Sequence, residues 1–107
     1  MAFYIKQNDT SPSVLATLQD ANGDAVNLTG ASIRFHMRVI GSAQTTVDAA
    51  ATIVTAVSGI VRYDWIAADT DTVGSYQAEF EVTYADASVE TFPNDGYIRV
   101  EITDDIA

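Results

Sequence analysis

The sequence has no cysteine among its 107 residues. That excludes disulfide staples, thiolate metal sites and cysteine nucleophiles, and it leaves the redox compartment open. There is a single histidine, His36, so a serine–histidine triad or a multi-histidine metal site is not expected. Cations are scarce: five Lys and Arg stand against 15 Asp and Glu, for a formal charge of −10. A surface of that sign repels nucleic-acid phosphates and anionic lipid heads, so no nucleic acid and no membrane is expected as a partner. Long apolar runs are missing, and nothing approaches the roughly 18 residues a spanning helix needs. The N-terminal stretch from Met1 to Asp9 has no basic region and no apolar run of signal-peptide length. The chain therefore reads as soluble and made in the cytoplasm. Its length suits one domain, 1–107. A 48% hydrophobic content with only 19% charged residues suits a packed core and not a disordered acidic tail.

Leucine is also rare. Three Leu stand against 11 Val, 9 Ile and 12 Thr. Branching at Cβ restricts side-chain rotamers in a helix and suits a pleated surface. The period agrees. Ile33, Phe35, Met37 and Val39 alternate with Arg34, His36 and Arg38. Tyr76, Ala78, Phe80, Val82 and Tyr84 alternate with Gln77, Glu79, Glu81 and Thr83. Ile98, Val100 and Ile102 alternate with Arg99, Glu101 and Thr103. A period of two over such lengths predicts strands with one buried and one wet face. Weaker strands are expected over Phe3–Lys6, Ser13–Gln19, Thr45–Thr55, Ile60–Trp65 and Val89–Phe92. Asn22-Gly23, Thr29-Gly30, Ser58-Gly59 and Pro93-Asn94-Asp95-Gly96 read as turns. Ile66–Val73 reads as a crossover with a helical turn at Ala67-Ala68-Asp69. No amphipathic helix is predicted. The pattern predicts an all-β fold, an immunoglobulin-like two-sheet antiparallel β-sandwich of about seven to eight strands, with an open barrel as the competing arrangement.

Few residues suggest chemistry. Gly74 and Tyr76 match a tyrosine corner, in which the hydroxyl bonds back to upstream backbone. Thr72 and Ala78 stand where an aspartate and a cysteine are common. Arg34, His36 and Arg38 share one wet face, and Gln77, Glu79 and Glu81 share another. Paired strands would set these charges opposite each other as a solvated ladder. The functional alternative is a basic band that meets an acidic partner. His36 has no visible companion for metal binding or base catalysis. Asp69-Thr70-Asp71 lacks the rest of a calcium loop. No catalytic residue, metal or cofactor is implied. Trp65 falls on the inward period as a core anchor. Its other reading, together with Tyr97 or Tyr84, is an aromatic platform for carbohydrate.

Seven segments taken together resemble a phage family. They are Lys6–Pro12, Ala16–Asp20 with Asn22-Gly23, Val26–Ala31, Ile33–Arg38, Ser58–Trp65, Gly74–Val82 and Glu90–Asn94. Their order and spacing are similar to the N-terminal immunoglobulin-like domain of BppU-type phage baseplate upper proteins, and to small free-standing relatives built from that domain alone. The resemblance runs from about Phe3 to Thr103. It implies a non-enzymatic virion structural part at the attachment end of a baseplate. The sequence stops at Ala107 without a stalk or distal module, which widens the expected location to tail, baseplate, neck or capsid surface.

The expected function is thus an assembly or docking module of the virion. Its expected partners are other virion proteins and copies of itself, met through sheet faces, edges and loops. The expected contact residues are Arg34, His36 and Arg38, with Phe3 and Tyr4 next. The alternative is a small module binding carbohydrate or a host surface.

Overall fold

The computed structural model describes residues 2–106. Strands form where branched and aromatic residues alternate. They are β1 (Ala2–Lys6), β2 (Val14–Thr17), β3 (Ser32–Val39), β4 (Thr45–Ala50), β5 (Thr52–Thr55), β6 (Ile60–Tyr63), β7 (Gly74–Thr83), β8 (Val89–Phe92) and β9 (Ile98–Thr103). One sheet runs β1-β9-β7-β3-β4, with β8 also on β7; the other runs β2-β6-β5. β9 pairs with Gly74–Ala78 and β8 with Phe80–Thr83. The two short strands therefore follow one another along the same side of β7, separated by residues 93–97.

The sandwich follows from the alternation. Ile33, Phe35 and Met37 of β3 and Tyr76, Ala78, Phe80 and Val82 of β7 are buried, as are Ile98, Val100 and Ile102 of β9. They pack with Val14, Leu18, Val61 and Tyr63 of the other layer in one cluster. Full burial of each large side chain contributes roughly 1.5–3 kcal/mol. Phe35 joins the layers: its ring stacks on Tyr63 at 4.3 Å and meets Trp65 edge-on at 5.6 Å.

Three expectations need correction. There are nine strands among the described residues, because Thr45–Thr55 is not one strand. The chain leaves the large sheet after Ala50 and enters the small sheet at Thr52, and a period of two cannot register a change of sheet. The sandwich is also not wholly antiparallel, since β1 pairs β9 in parallel. A first strand lies parallel to a last one when both leave the same end of the fold, and side-chain patterning carries no direction. Finally, Val39 is exposed. It is the last residue of β3.

Local devices fix the connections. The Tyr76 hydroxyl donates to the Thr72 carbonyl at 2.6 Å, which is the expected tyrosine corner. The crossover carries a 3₁₀ turn at Ala67–Thr70. There the Asp69 carboxylate accepts from the Tyr63 hydroxyl at 2.6 Å and from the Ile66 N–H at 3.0 Å. A second 3₁₀ turn, Ala56–Ser58, stands where only a turn at Ser58-Gly59 is expected. It ends on Gly59 at φ +66.

Candidate functional site

The residues the sequence nominates do not all share a face. Arg34, His36 and Arg38 lie on the outward side of β3, opposite Glu81, Glu79 and Gln77 of β7 in turn. Tyr4 lies on the same outward side at the far edge of the sheet, opposite Glu101, and is 68% exposed. Phe3 is turned the other way. Its ring sits 6.0 Å from Trp65 and packs on the core. Alternation along β1 requires this: if Ile5 is buried, Phe3 points inward and Tyr4 outward.

The ladder forms in register, but its ion pairs run to the other neighbour of β3. Arg34 reaches Asp48 of β4 with both its Nε and its Nη2, at 3.1 and 2.9 Å. The His36 Nε2 lies 3.2 Å from the same carboxylate. The Arg34 hydrogen bond is the main reason the Asp48 carboxyl is held below its ordinary value, with the charge of His36 a lesser cause. His36 therefore has an ionisable neighbour that the sequence reading did not pick out. Asp48 escapes that reading because its stretch is rich in alanine, yet the outward parity between Val47 and Ala49 already places it on this face. Glu79 and Glu81 have no cation partner among the described residues.

Arg38 differs from its neighbours. Its Nε donates to the Gln77 side-chain Oε1 at 3.2 Å and its Nη2 to the Tyr97 hydroxyl at 3.3 Å. The guanidinium also lies 5.4 Å from the centre of the Tyr97 ring, within cation–π range. Arg34, Arg62 and Arg99 each hold a carboxylate, on Asp48, Asp64 and Glu101. Arg38 holds none among the described residues. It lines a shallow cup of about 170 Å³ with His36, Thr45, Gln77, Glu79 and Tyr97. The cup opens where β4 carries one extra residue, Thr46, opposite the Met37–Arg38 step. The Thr46 hydroxyl donates to the Met37 carbonyl at 3.0 Å across that bulge.

The cup thus sets the Arg38 guanidinium and the Tyr97 hydroxyl beside the His36 imidazole and the Glu79 carboxylate. No group of three or more His, Cys, Asp or Glu suited to a metal occurs among the described residues. Asp69 of the D-x-D fragment is occupied by Tyr63 and Ile66, and the Thr70 hydroxyl donates to the Asp9 carbonyl. Trp65 is 4% exposed, so it cannot serve as a sugar platform. Tyr97 is engaged with Arg38, and Tyr84 donates its hydroxyl to Glu90 at 2.6 Å.

Comparison with known families gives a match over residues 2–95 to the BppU N-terminal domain. The chain belongs to the BppU N-terminal domain family. This agrees with the resemblance drawn from the seven segments, and it makes the protein a phage baseplate or tail structural protein. The match ends before β9, the strand that pairs with both β1 and β7. A search of curated proteins returned no match. The BppU N-terminal domain family is a phage baseplate structural family, which suggests a non-enzymatic part. It implies a virion component that associates with other virion proteins. No helix among the described residues is long and apolar enough to cross a membrane.

Proposed function

We infer that this BppU N-terminal domain is a docking module whose outward large-sheet face seats against a neighbouring virion protein, with Arg38 as the anchor for a carboxylate of that neighbour. The neighbour is another virion protein or a further copy of this chain, repeated around the particle. Arg38 carries the reading. It is an arginine held in place on two sides, partly desolvated and without a carboxylate of its own among the described residues, in a chain where acids outnumber bases 15 to 5. A fixed guanidinium loses little freedom on pairing and takes a carboxylate through two parallel hydrogen bonds. Such arginines are common among the few residues that dominate an interface. Four strand spacings of about 4.8 Å and ten residues at about 3.3 Å give the face a flat area of roughly 600–700 Å². A stable interface needs about 800 Å² per partner, so the face and its rim suffice. Tyr4 lies on the same face at β1 and extends the contact, while Phe3 has no part in it.

The test is incorporation into particles. Arg38→Ala is expected to lower the chain's content in purified virions by about tenfold or more, the effect of losing a desolvated charged contact. Arg38→Lys should fall between, because an ammonium cannot reproduce the fork. Arg62→Ala, which breaks a pair already satisfied within the chain on the other sheet, should leave incorporation near wild type. Wild-type incorporation of a folded Arg38→Ala chain would overturn the reading.

A further inference from the structure

A second surface lies on the opposite layer and owes nothing to Arg38. β2 is the end strand of the small sheet and, among the described residues, pairs only with β6. The Leu18 N–H donates to the Gly59 carbonyl on the β6 side at 2.8 Å. By alternation Val14 and Ala16 also bond toward β6, whereas Leu15 and Thr17 direct their N–H and C=O groups away from it. No backbone partner meets those groups among the described residues. Beside this edge runs a groove of about 540 Å³, bounded by Leu15 and Leu18 of the small sheet and by Phe80, Phe92, Ile98 and Pro93 of the large one. It exists because residues 93–97 interrupt the strand that would otherwise run unbroken from β8 to β9. Leu15 stands on the edge with 61% of its surface exposed.

Open edges are usually guarded by lysine, proline or a bulge. The other edges of this fold are. β1 ends on Lys6, β8 is followed by Pro93, and β4 and β5 each carry an extra residue against their neighbours. The Val14–Thr17 strand has no lysine, proline or bulge within it, and its nearest proline, Pro12, stands two residues before its start.

We propose that the β2 edge and its groove receive an extended, basic segment of a partner protein, added as a fourth strand to the small sheet. An unpaired ladder selects an extended backbone, and the apolar groove takes alternate side chains of the incoming strand. Charge selects which strand. Asp20 and Asp95 line the groove, and no cation does among the described residues. A second copy would bring the same aspartates and a further formal charge of −10. A segment with Lys or Arg near its ends complements the rim.

The test uses the whole chain, a synthetic peptide of alternating valine and threonine ending in lysine at both termini, and hydrogen exchange read by NMR. The peptide should slow exchange of the Leu15 and Thr17 amides by about tenfold or more, since their N–H groups become ladder donors. A version N-methylated on alternate residues should give no protection, and a version ending in glutamate should bind more weakly at low salt. Leu15→Lys and Thr17→Pro, each shown by its melting temperature to be folded, should reduce binding of the lysine-ended peptide. Absence of protection at millimolar peptide, or equal binding by the N-methylated version, would sink the proposal. So would protection of the same amides by concentrated protein alone, which would make a second copy the occupant.

Discussion

Tyr76 and Gly59 show how much of this fold rests on single groups. The Tyr76 hydroxyl makes one hydrogen bond, to the Thr72 carbonyl, and its ring lies in the core. Tyr76→Phe keeps the ring and deletes the bond, so urea denaturation should give a loss of about 0.5–1.5 kcal/mol. Gly59 carries a heavier constraint. Its φ of +66 already disfavours any side chain, and a Cβ there would stand 2.7 Å from the Leu18 carbonyl oxygen and 2.8 Å from that of Val26. Both are backbone atoms of the hairpin that closes against β6. Gly96 has a similar φ of +73 with open space around it. Gly96→Ala should therefore cost about 1–2 kcal/mol, the penalty of left-handed backbone alone. Gly59→Ala should cost clearly more, since backbone must shift as well. Equal costs measured by urea denaturation would show that the hairpin yields freely.

At the scale of elements, the aromatic of β3 is the joint between layers. Phe35 touches Tyr63 and Trp65 as well as Phe80 at 5.2 Å. Phe35→Ala is expected to cost about 3–5 kcal/mol and to flatten the near-ultraviolet circular dichroism. Phe3→Ala, at the margin of the same cluster, should cost less than half as much. The alternation that buries Phe35 is legible in the residues themselves, and so are the outward triad and its place opposite Gln77, Glu79 and Glu81. Lateral choice is not. β3 has neighbours on both sides, and periodicity cannot say that Arg34 and His36 turn to Asp48 and not to the glutamates. Nor can it mark Arg38, whose distinction depends on Tyr97, a residue 59 positions along the chain. The passage from β4 to β5 is hidden for a related reason. Val47, Ala49, Ala51 and Ile53 keep one inward parity through the change of sheet, so the side chains record no break.

Across the whole molecule, protonation sets a window of stability with two unequal limits. The carboxyls of Asp48, Asp64, Asp86 and Glu101 are held below their ordinary values, chiefly by hydrogen bonds from Arg34, from Ser13, from Ser88 and from Ser75 respectively. The unfolded chain binds protons at these groups first. Stability from them is therefore complete above the usual carboxylate range of about 4 and is lost as pH falls through the lower folded values. Asp48, Asp64 and Asp86 are open to solvent and only Glu101 is half-buried, so this limb is shallow. It also works against a countervailing gain, because early protonation relieves the self-repulsion of a −10 chain. The alkaline limb has no such relief. Burial raises Tyr63, Tyr76 and Tyr84, with Asp69 and Glu90 adding to the shift at Tyr63 and Tyr84, and Tyr84 is pushed up to about 12. Here the folded state holds protons that the unfolded state releases. Stability is full below the ordinary tyrosine value of about 10 and falls as pH rises toward the folded values. Each ionisation also adds negative charge to a chain already in excess. Urea midpoints measured from about pH 3 to about pH 12 should thus show a gentle decline at the acid end and a steep one beginning near pH 10. Tyr84→Phe should make the alkaline decline less steep without moving the acid limb. A midpoint that stays level to the alkaline end of that range would mean that the tyrosines ionise without leaving the fold, and that their burial does not govern the molecule's alkaline limit.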